Sequence, residues 1–286
     1  MMFGLMYAST CARGSRAACC AALAAVLIAA WASPSFADLR VHPKRVIFDG
    51  KTRTATVTLV NNDPETYTYR ITWQMLRMTD QGKLERFDTE VEGEGGVSHA
   101  HTMLRYAPRQ VTVAPGVAQT VRIMLRKPKE LPDGEYRAHM LFLREPKQMS
   151  MGDDEDGLAI TLNVLYGLSI PIFVRQGELD VDVAIDDIET AREGDVVNMS
   201  IQLSRTGNRS VYGDLDVLLK SAGEDLVLGT VRGVGIYTEA GRRTVPVALQ
   251  MPDGTPVPPG NKVLVRYRAP KEQNNALLAE ATVTIN

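Results

Sequence analysis

The stretch LAITLNVLYGLSIPIFVRQG, Leu158–Gly177, places an apolar residue at every second position nine times in succession: Leu158, Ile160, Leu162, Val164, Tyr166, Leu168, Ile170, Ile172 and Val174. The positions between are mostly small or polar, as at Ala159, Thr161, Asn163, Gly167 and Ser169. Strict alternation is the pattern of a β-strand with one apolar face. Strands in globular domains usually run about 5–6 residues. This one reads as roughly 17, or about 55 Å at about 3.3 Å per residue. A transmembrane helix would be apolar all round, and Asn163, Gly167, Ser169 and Pro171 interrupt that reading. The second half of the strand can be buried by its own domain. The first half, Leu158–Val164, reads as an edge that another chain completes by adding a strand. Pro171 fits an edge or a bulge, because proline donates no hydrogen bond to a ladder.

Alternation recurs along the chain. Ala55, Val57 and Leu59 oppose Thr54, Thr56 and Thr58; Val121, Ile123 and Leu125 oppose Arg122 and Arg126. Met199, Ile201 and Leu203 form a third such face, and Val263, Val265 and Tyr267 a fourth. Turn signals separate these runs, among them Asn61-Asn62-Asp63-Pro64, Pro132-Asp133-Gly134 and Pro258-Pro259-Gly260. Many short strands divided by Gly, Pro and Asn turns predict an all-β sandwich architecture. The segment EQNNALLAEA, Glu272–Ala281, reads as a short helix or, better, as the lead into the last strand. A composition shift at Gln176-Gly177 marks a boundary between two domains of immunoglobulin-like size, 38–176 and 177–286.

The first residues carry Arg13 and Arg16, an apolar run at Ala17–Ala32 and the small-residue pattern SPSFA. This reads as a secretory signal peptide, 1–37, cut near Ala37, and predicts an exported, periplasmic protein. All three cysteines (Cys11, Cys19 and Cys20) fall within it, so the mature chain has no disulfide and no thiolate chemistry. The mature chain carries 30 basic and 34 acidic residues. That balance gives no basic field for nucleic acid. No integral membrane segment is expected in it.

Enzyme chemistry finds little support. The four histidines are His42, His99, His101 and His139. His99 and His101 sit in the Gly-rich VEGEGGVSHAH segment (Val91–His101), which reads as a solvated loop without a third metal ligand. The acidic MSMGDDEDG segment (Met149–Gly157) reads as a mobile acidic loop and lacks the spacing of a calcium loop. No nucleophile elbow or phosphate-cradling loop is present. The expectation is a non-enzymatic protein with no cofactor and no metal.

Several segments taken in order resemble the periplasmic pilus-assembly chaperones of the chaperone–usher pathway. VHPKRVIFDG (Val41–Gly50) resembles the family's first strand, and TATVTLVNND with YRITWQM its second and third, with Asn61 and Trp73 in place. YAPRQVTVAPGVAQTVRIML and LPDGEYRAHMLFL resemble the segments that follow, and the opening stretch falls on the last strand of the first domain. The resemblance implies two immunoglobulin-like β-sandwich domains in a boomerang arrangement. It also implies that pilin or fimbrial subunits, which lack a final strand, are stabilised by a lent strand and passed to an outer-membrane usher. Leu158, Ile160, Leu162, Val164, Tyr166 and Leu168 would be the donated side chains, Arg45 a cleft anchor for the subunit's terminal carboxylate, and Arg175 an inter-domain tie. The family's second cleft cation, a lysine, is replaced here by Pro171, and Arg137 on the neighbouring predicted strand is the substitute. For Arg45 and Arg137 an ordinary surface role stays open. So does self-association of the free form. The alternative reading is a secreted immunoglobulin-like binding or structural module, such as an adhesin component, using the same edge in a permanent complex.

Overall fold

The computed structural model describes residues 39–87, 98–146, 165–220 and 225–285. Its regular structure is all β, apart from single 3-10 turns at His101–Met103 and Lys271–Gln273 among the described residues. The strands up to Gln176 are β1 (Leu39–His42), β2 (Val46–Phe48), β3 (Thr54–Asn61), β4 (Tyr67–Gln74), β5 (Leu76–Met78), β6 (Leu84–Arg86), β7 (Leu104–Ala107), β8 (Gln110–Val113), β9 (Ala118–Leu125), β10 (Gly134–Arg144) and β11 (Gly167–Gln176). They form two facing sheets, β1-β3-β9-β7 and β2-β11-β10-β4-β8, with β5 and β6 as a separate hairpin. The chain changes sheet between β1 and β2 and again between β7 and β8. Each crossing holds a cis X-Pro bond, His42-Pro43 and Ala107-Pro108.

The second group is β12 (Val181–Glu193), β13 (Val196–Gly207), β14 (Val211–Leu219), β15 (Leu226–Ile236), β16 (Arg242–Leu249), β17 (Lys262–Arg268) and β18 (Leu277–Thr284). Its sheets are β12-β13-β16 and β15-β14-β17-β18. The fold is thus two β-sandwiches, as the alternation requires. Glu272–Ala281 is the 3-10 turn followed by β18, with Asn274 and Asn275 both at positive φ, so the strand lead-in is the correct option and the helix is not. Gly177, between the sandwiches, has φ +69°, and the Asp133 carboxylate lies where a Cβ would project. A side chain there would meet both strain and a clash.

Alternation explains the cores. Val57, Leu59, Val121 and Ile123 are fully buried in the first, and Met199, Ile201, Leu203, Val263, Val265 and Tyr267 in the second. Each such side chain contributes about 1.5–3 kcal/mol relative to exposure. Asn61 is buried without penalty: its amide donates to the Glu65 and Val113 carbonyls at 2.6 and 2.9 Å, and its Oδ1 accepts the Asp63 N–H at 3.0 Å.

β10 and β11 behave differently, because both faces of this ribbon are covered. Tyr136, Ala138, Met140, Ile172 and Val174 point into the first core. Arg137 lies opposite Phe173 in the register and Glu135 opposite Arg175, on the other face. That face meets the second sandwich, where Phe173 joins the second core together with Met78 of β5. Arg137 donates to both Glu239 oxygens, Nη1 to Oε2 at 2.9 Å and Nη2 to Oε1 at 2.6 Å. Its Nη2 also reaches the Leu76 carbonyl at 2.8 Å. The Met78 N–H donates to Glu239 Oε1 at 2.7 Å, and the Arg137 guanidinium lies 3.9 Å from the Tyr237 ring centroid. Glu135 accepts Arg175 Nε at 3.0 Å and the Ser210 N–H at 3.0 Å. The β5–β6 turn adds a main-chain bond, the Thr244 N–H to the Asp80 carbonyl at 2.8 Å.

A buried ion pair roughly balances its desolvation, whereas one partner left alone is costly. Glu239→Ala is expected to lower the unfolding free energy by about 3–5 kcal/mol. The pair replacement Arg137→Met with Glu239→Leu is expected to cost much less, a difference read by urea titration of both variants and the wild-type protein. His139, 1% exposed on the same face, gives a second expectation. Burial, reinforced by Arg137, pushes its imidazole down to about 3. The unfolded chain takes up a proton near 6.5, while the folded one resists it down to about 3. Stability is therefore complete above pH 6.5 and falls by about 1.4 kcal/mol per pH unit below it. In His139→Gln that component of the slope is absent, as urea unfolding between pH 7 and pH 4.5 would register.

Candidate functional site

The described part of the long apolar segment begins at Leu165, so Leu158, Ile160, Leu162 and Val164 lie outside the described residues, as do Met149–Gly157. The visible part shows a gradient. Along the core-facing series Val174 and Ile172 are fully buried and Ile170 is 3% exposed, but Leu168 is 38% and Tyr166 54% exposed. One strand face thus passes from the first core into solvent without changing its apolar character.

Its two edges differ as well. β10 pairs with β11 from Gly134↔Gln176 to Leu143↔Gly167, and the Arg144 N–H extends this by bonding the Tyr166 carbonyl at 2.9 Å. On the opposite edge β2 pairs in parallel with Ile172–Val174 only. Among the described residues Gly167–Pro171 have no strand on that side. Pro171 stands where the β2 pairing stops, a position that suits its missing donor. An unpaired, apolar edge is what natural sheets usually avoid or charge; here the opening carries Leu165, Tyr166 and Leu168.

Beside this strand lies a cationic hollow. Arg45, immediately before β2, lines it with Arg175 of β11 and Arg209 of the turn before β14; Tyr212, Val211 and Leu278 form its walls. The Arg45 guanidinium carbon lies 3.6 Å from the Tyr212 ring centroid and 5.1 Å from that of Phe173. Cation–π contact of this kind fixes a guanidinium plane without neutralising its charge. Among the described residues no carboxylate lies within ion-pair distance of Arg45. Burial holds its pKa below the usual arginine value, against an opposing pull from Tyr237, Tyr212 and Glu135. Arg175 is different: its Nε is paired with Glu135, whose side chain is 2% exposed, and its Nη1 lies 3.9 Å from Asp49. It reaches the second sandwich through Glu135, which also accepts the Ser210 N–H, so the tie expected of Arg175 is indirect.

Two expectations need correction. Arg137 is not an exposed strand arginine; it is 4% exposed, and its charge is matched by Glu239. The second sandwich covers its face, so the guanidinium is committed to the seam and not to an incoming carboxylate. His99 is not in a solvated loop. It is 4% exposed and bridges β10 at Arg137, with the Arg137 N–H bonding the Ser98 carbonyl and the Ala100 N–H bonding the Arg137 carbonyl. β4 stops at Gln74, opposite His139. The main-chain groups of Arg137 beyond that point need partners, and the segment at 98–100 supplies them. The His99 and His101 rings are 5.8 Å apart. Among the described residues no three His, Cys, Asp or Glu side chains converge as a metal site.

Glu239, Glu135 and Arg209 were not legible as site residues. Glu239 sits in YTEAGR and Arg209 in TGNRSVYG, both ordinary polar turns by composition. No local signal distinguishes them from solvated residues.

No family model matches the chain. No curated protein matches it. Solved structures similar to it include the YadV chaperone, at 13% identity over 87% of this chain and 100% of that one, TM-score 0.43. The CupB2 chaperone of Pseudomonas aeruginosa is similar at 12% identity over 86% and 100%, TM-score 0.42. The chaperone–tip adhesion subunit complex CsuC–CsuE, from the archaic chaperone–usher Csu pili of Acinetobacter baumannii, contains a chain similar at 11% identity over 87% and 98%, TM-score 0.40.

Proposed function

We propose that this protein is a periplasmic assembly chaperone that lends the unpaired edge of β11 and its preceding residues to an incomplete pilin or fimbrial subunit, holding it until an outer-membrane usher accepts it. The observation that carries the reading is the exposure gradient along a single strand: Val174 and Ile172 root it in the first core, and Leu168 and Tyr166 present the same apolar face to solvent beside an edge that has no partner strand among the described residues. A second chain adding its strand there would satisfy the main-chain groups and take alternate side chains into its own groove. Leu158, Ile160, Leu162 and Val164 continue the same series in sequence and are the further side chains to be lent. Arg45, cationic and held on Tyr212, is suited to receive the subunit's terminal carboxylate as a charge-assisted partner. No chemistry is required of the chaperone. Release follows when a better-fitting strand displaces the lent one.

Each donated leucine buried in a client groove contributes about 1.5–3 kcal/mol, so an aspartate in its place should weaken the complex by well over tenfold. Leu162→Asp and Leu168→Asp are expected to lose co-purification with a pilin subunit that lacks its final strand, while the free protein unfolds at the wild-type urea concentration. Retained binding and protection of the subunit by both variants would overturn the lent-strand reading. A peptide carrying the strand that completes the subunit should displace the wild-type chaperone over time; a complex that resists it is a permanent module and not a chaperone intermediate.

A further inference from the structure

The near balance of charge over the whole chain, 32 basic against 34 acidic residues, conceals a segregated distribution. The sheet β1-β3-β9-β7 contains no Asp and no Glu in any of its four strands. Its inward positions close the first core. Its outward positions are exposed, among them Arg40 on β1, Thr54 and Thr56 on β3, Arg122 and Met124 on β9, and Arg105 on β7. The register sets Thr54, Met124 and Arg105 in one cross-strand row and Thr56 beside Arg122 in the next. Arg126 follows β9 with the same parity and is also exposed. Among the described residues none of these four guanidiniums lies within ion-pair distance of a carboxylate; Arg105 donates to the Thr102 and Leu104 carbonyls, both at 3.1 Å. Arg70 and Arg232, also exposed, are paired, with Glu145 at 2.9 Å and Asp214 at 3.0 Å. The opposite charge collects on β12 of the second sandwich, where Asp182, Asp186, Asp187, Glu189 and Glu193 are exposed beside a single arginine, Arg192.

We infer that the outer face of β1-β3-β9-β7 docks the protein on a phospholipid bilayer that carries anionic headgroups. This face points away from the second sandwich, because the seam is formed by the other sheet through β10 and β11. Four strands about 4.8 Å apart make a broad face, roughly 15 by 25 Å. Charge spread over such a face matches a layer of phosphates, whereas a single polypeptide takes a groove or a strand edge. Like charges on adjacent strands repel. A phosphate set among the guanidiniums turns that repulsion into charge-assisted, bidentate pairs. Met124, 48% exposed amid the arginines, supplies an apolar side chain to reach past the headgroups. Each basic residue held near an anionic bilayer raises the partition by roughly fivefold, and four act together here. The same layer repels β12, which makes the first sandwich the side in contact. The inference is independent of the lent strand, since β11 belongs to the other sheet.

The test is co-sedimentation of the full-length mature protein with vesicles of phosphatidylcholine alone, or of phosphatidylcholine mixed with phosphatidylglycerol. Binding is expected only to the phosphatidylglycerol vesicles, and it should fall steeply as salt is raised, because exposed charges are screened. Arg40→Glu with Arg122→Glu is expected to weaken it by about twentyfold or more, and Arg40→Lys with Arg122→Lys to retain most of it. Lys262→Glu with Lys271→Glu makes the same change of net charge on the second sandwich and is expected to leave binding unchanged. Urea unfolding of each pair at the wild-type midpoint separates lost binding from lost fold. Residues 38–286 contain no cysteine, so Met124→Cys accepts a fluorophore at that one position. Its emission is expected to shift to the blue on phosphatidylglycerol vesicles and to stay unchanged in inorganic phosphate. Equal binding to both kinds of vesicle, or an equal loss in the two glutamate pairs, overturns the docking face. Capture of the protein by immobilised polyglutamate without binding to vesicles overturns the lipid assignment.

Discussion

The β10–β11 ribbon is buried on both faces, and this constraint governs the rest of the molecule. One face must be apolar because it closes the first core through Met140, Ile172 and Val174. The other presses on the second sandwich and carries Glu135, Arg137, His139 and Arg175 beside Phe173. A charge on such a face cannot stay unpaired, since its desolvation costs several kcal/mol. The partners therefore follow: Glu239 for Arg137, and Arg175 with the Ser210 N–H for Glu135. These contacts bind the sandwiches to one another through specific polar geometry and not through apolar area alone.

The same ribbon leaves one edge of β11 partly open among the described residues. β11 is held along its whole described length by β10, but β2 covers only Ile172–Val174 on the far side. A strand so well supported on one edge can remain extended while the other edge is open, which is the arrangement that strand addition requires. The rigid end lies in the core and the apolar face continues outward past Leu168. Close by, the neutralised Arg175 divides the hollow's charge between Arg45 and Arg209, one from each sandwich.

The seam also shows why charge on a strand does not report its role. Arg45 and Arg137 both lie in the first sandwich, and composition and alternation alone do not separate them. Arg137 sits on the ribbon face under Tyr237 and Glu239 and is consumed by structure. Arg45 stacks on Tyr212, and among the described residues no carboxylate lies within ion-pair distance of it. His99 teaches the same lesson: a Gly-rich, polar neighbourhood suggests solvent, but the end of β4 creates a vacancy beside Arg137 that this segment fills.

Period-two alternation is a local property of the chain, so the sequence alone determined the alternating strands, the apolar series from Leu158 to Val174 and the all-β architecture. It also identified Tyr166 and Leu168 as belonging to a face with more apolar surface than one domain needs. Which arginine is paired and which is available was decided only by tertiary structure. Arg137 and Glu239 are 102 residues apart in the chain, and Arg45 and Arg209 line one hollow only because the two sandwiches share a seam. Electrostatic pairing depends on distance in space and on burial, and neither is encoded in the periodicity of any one segment.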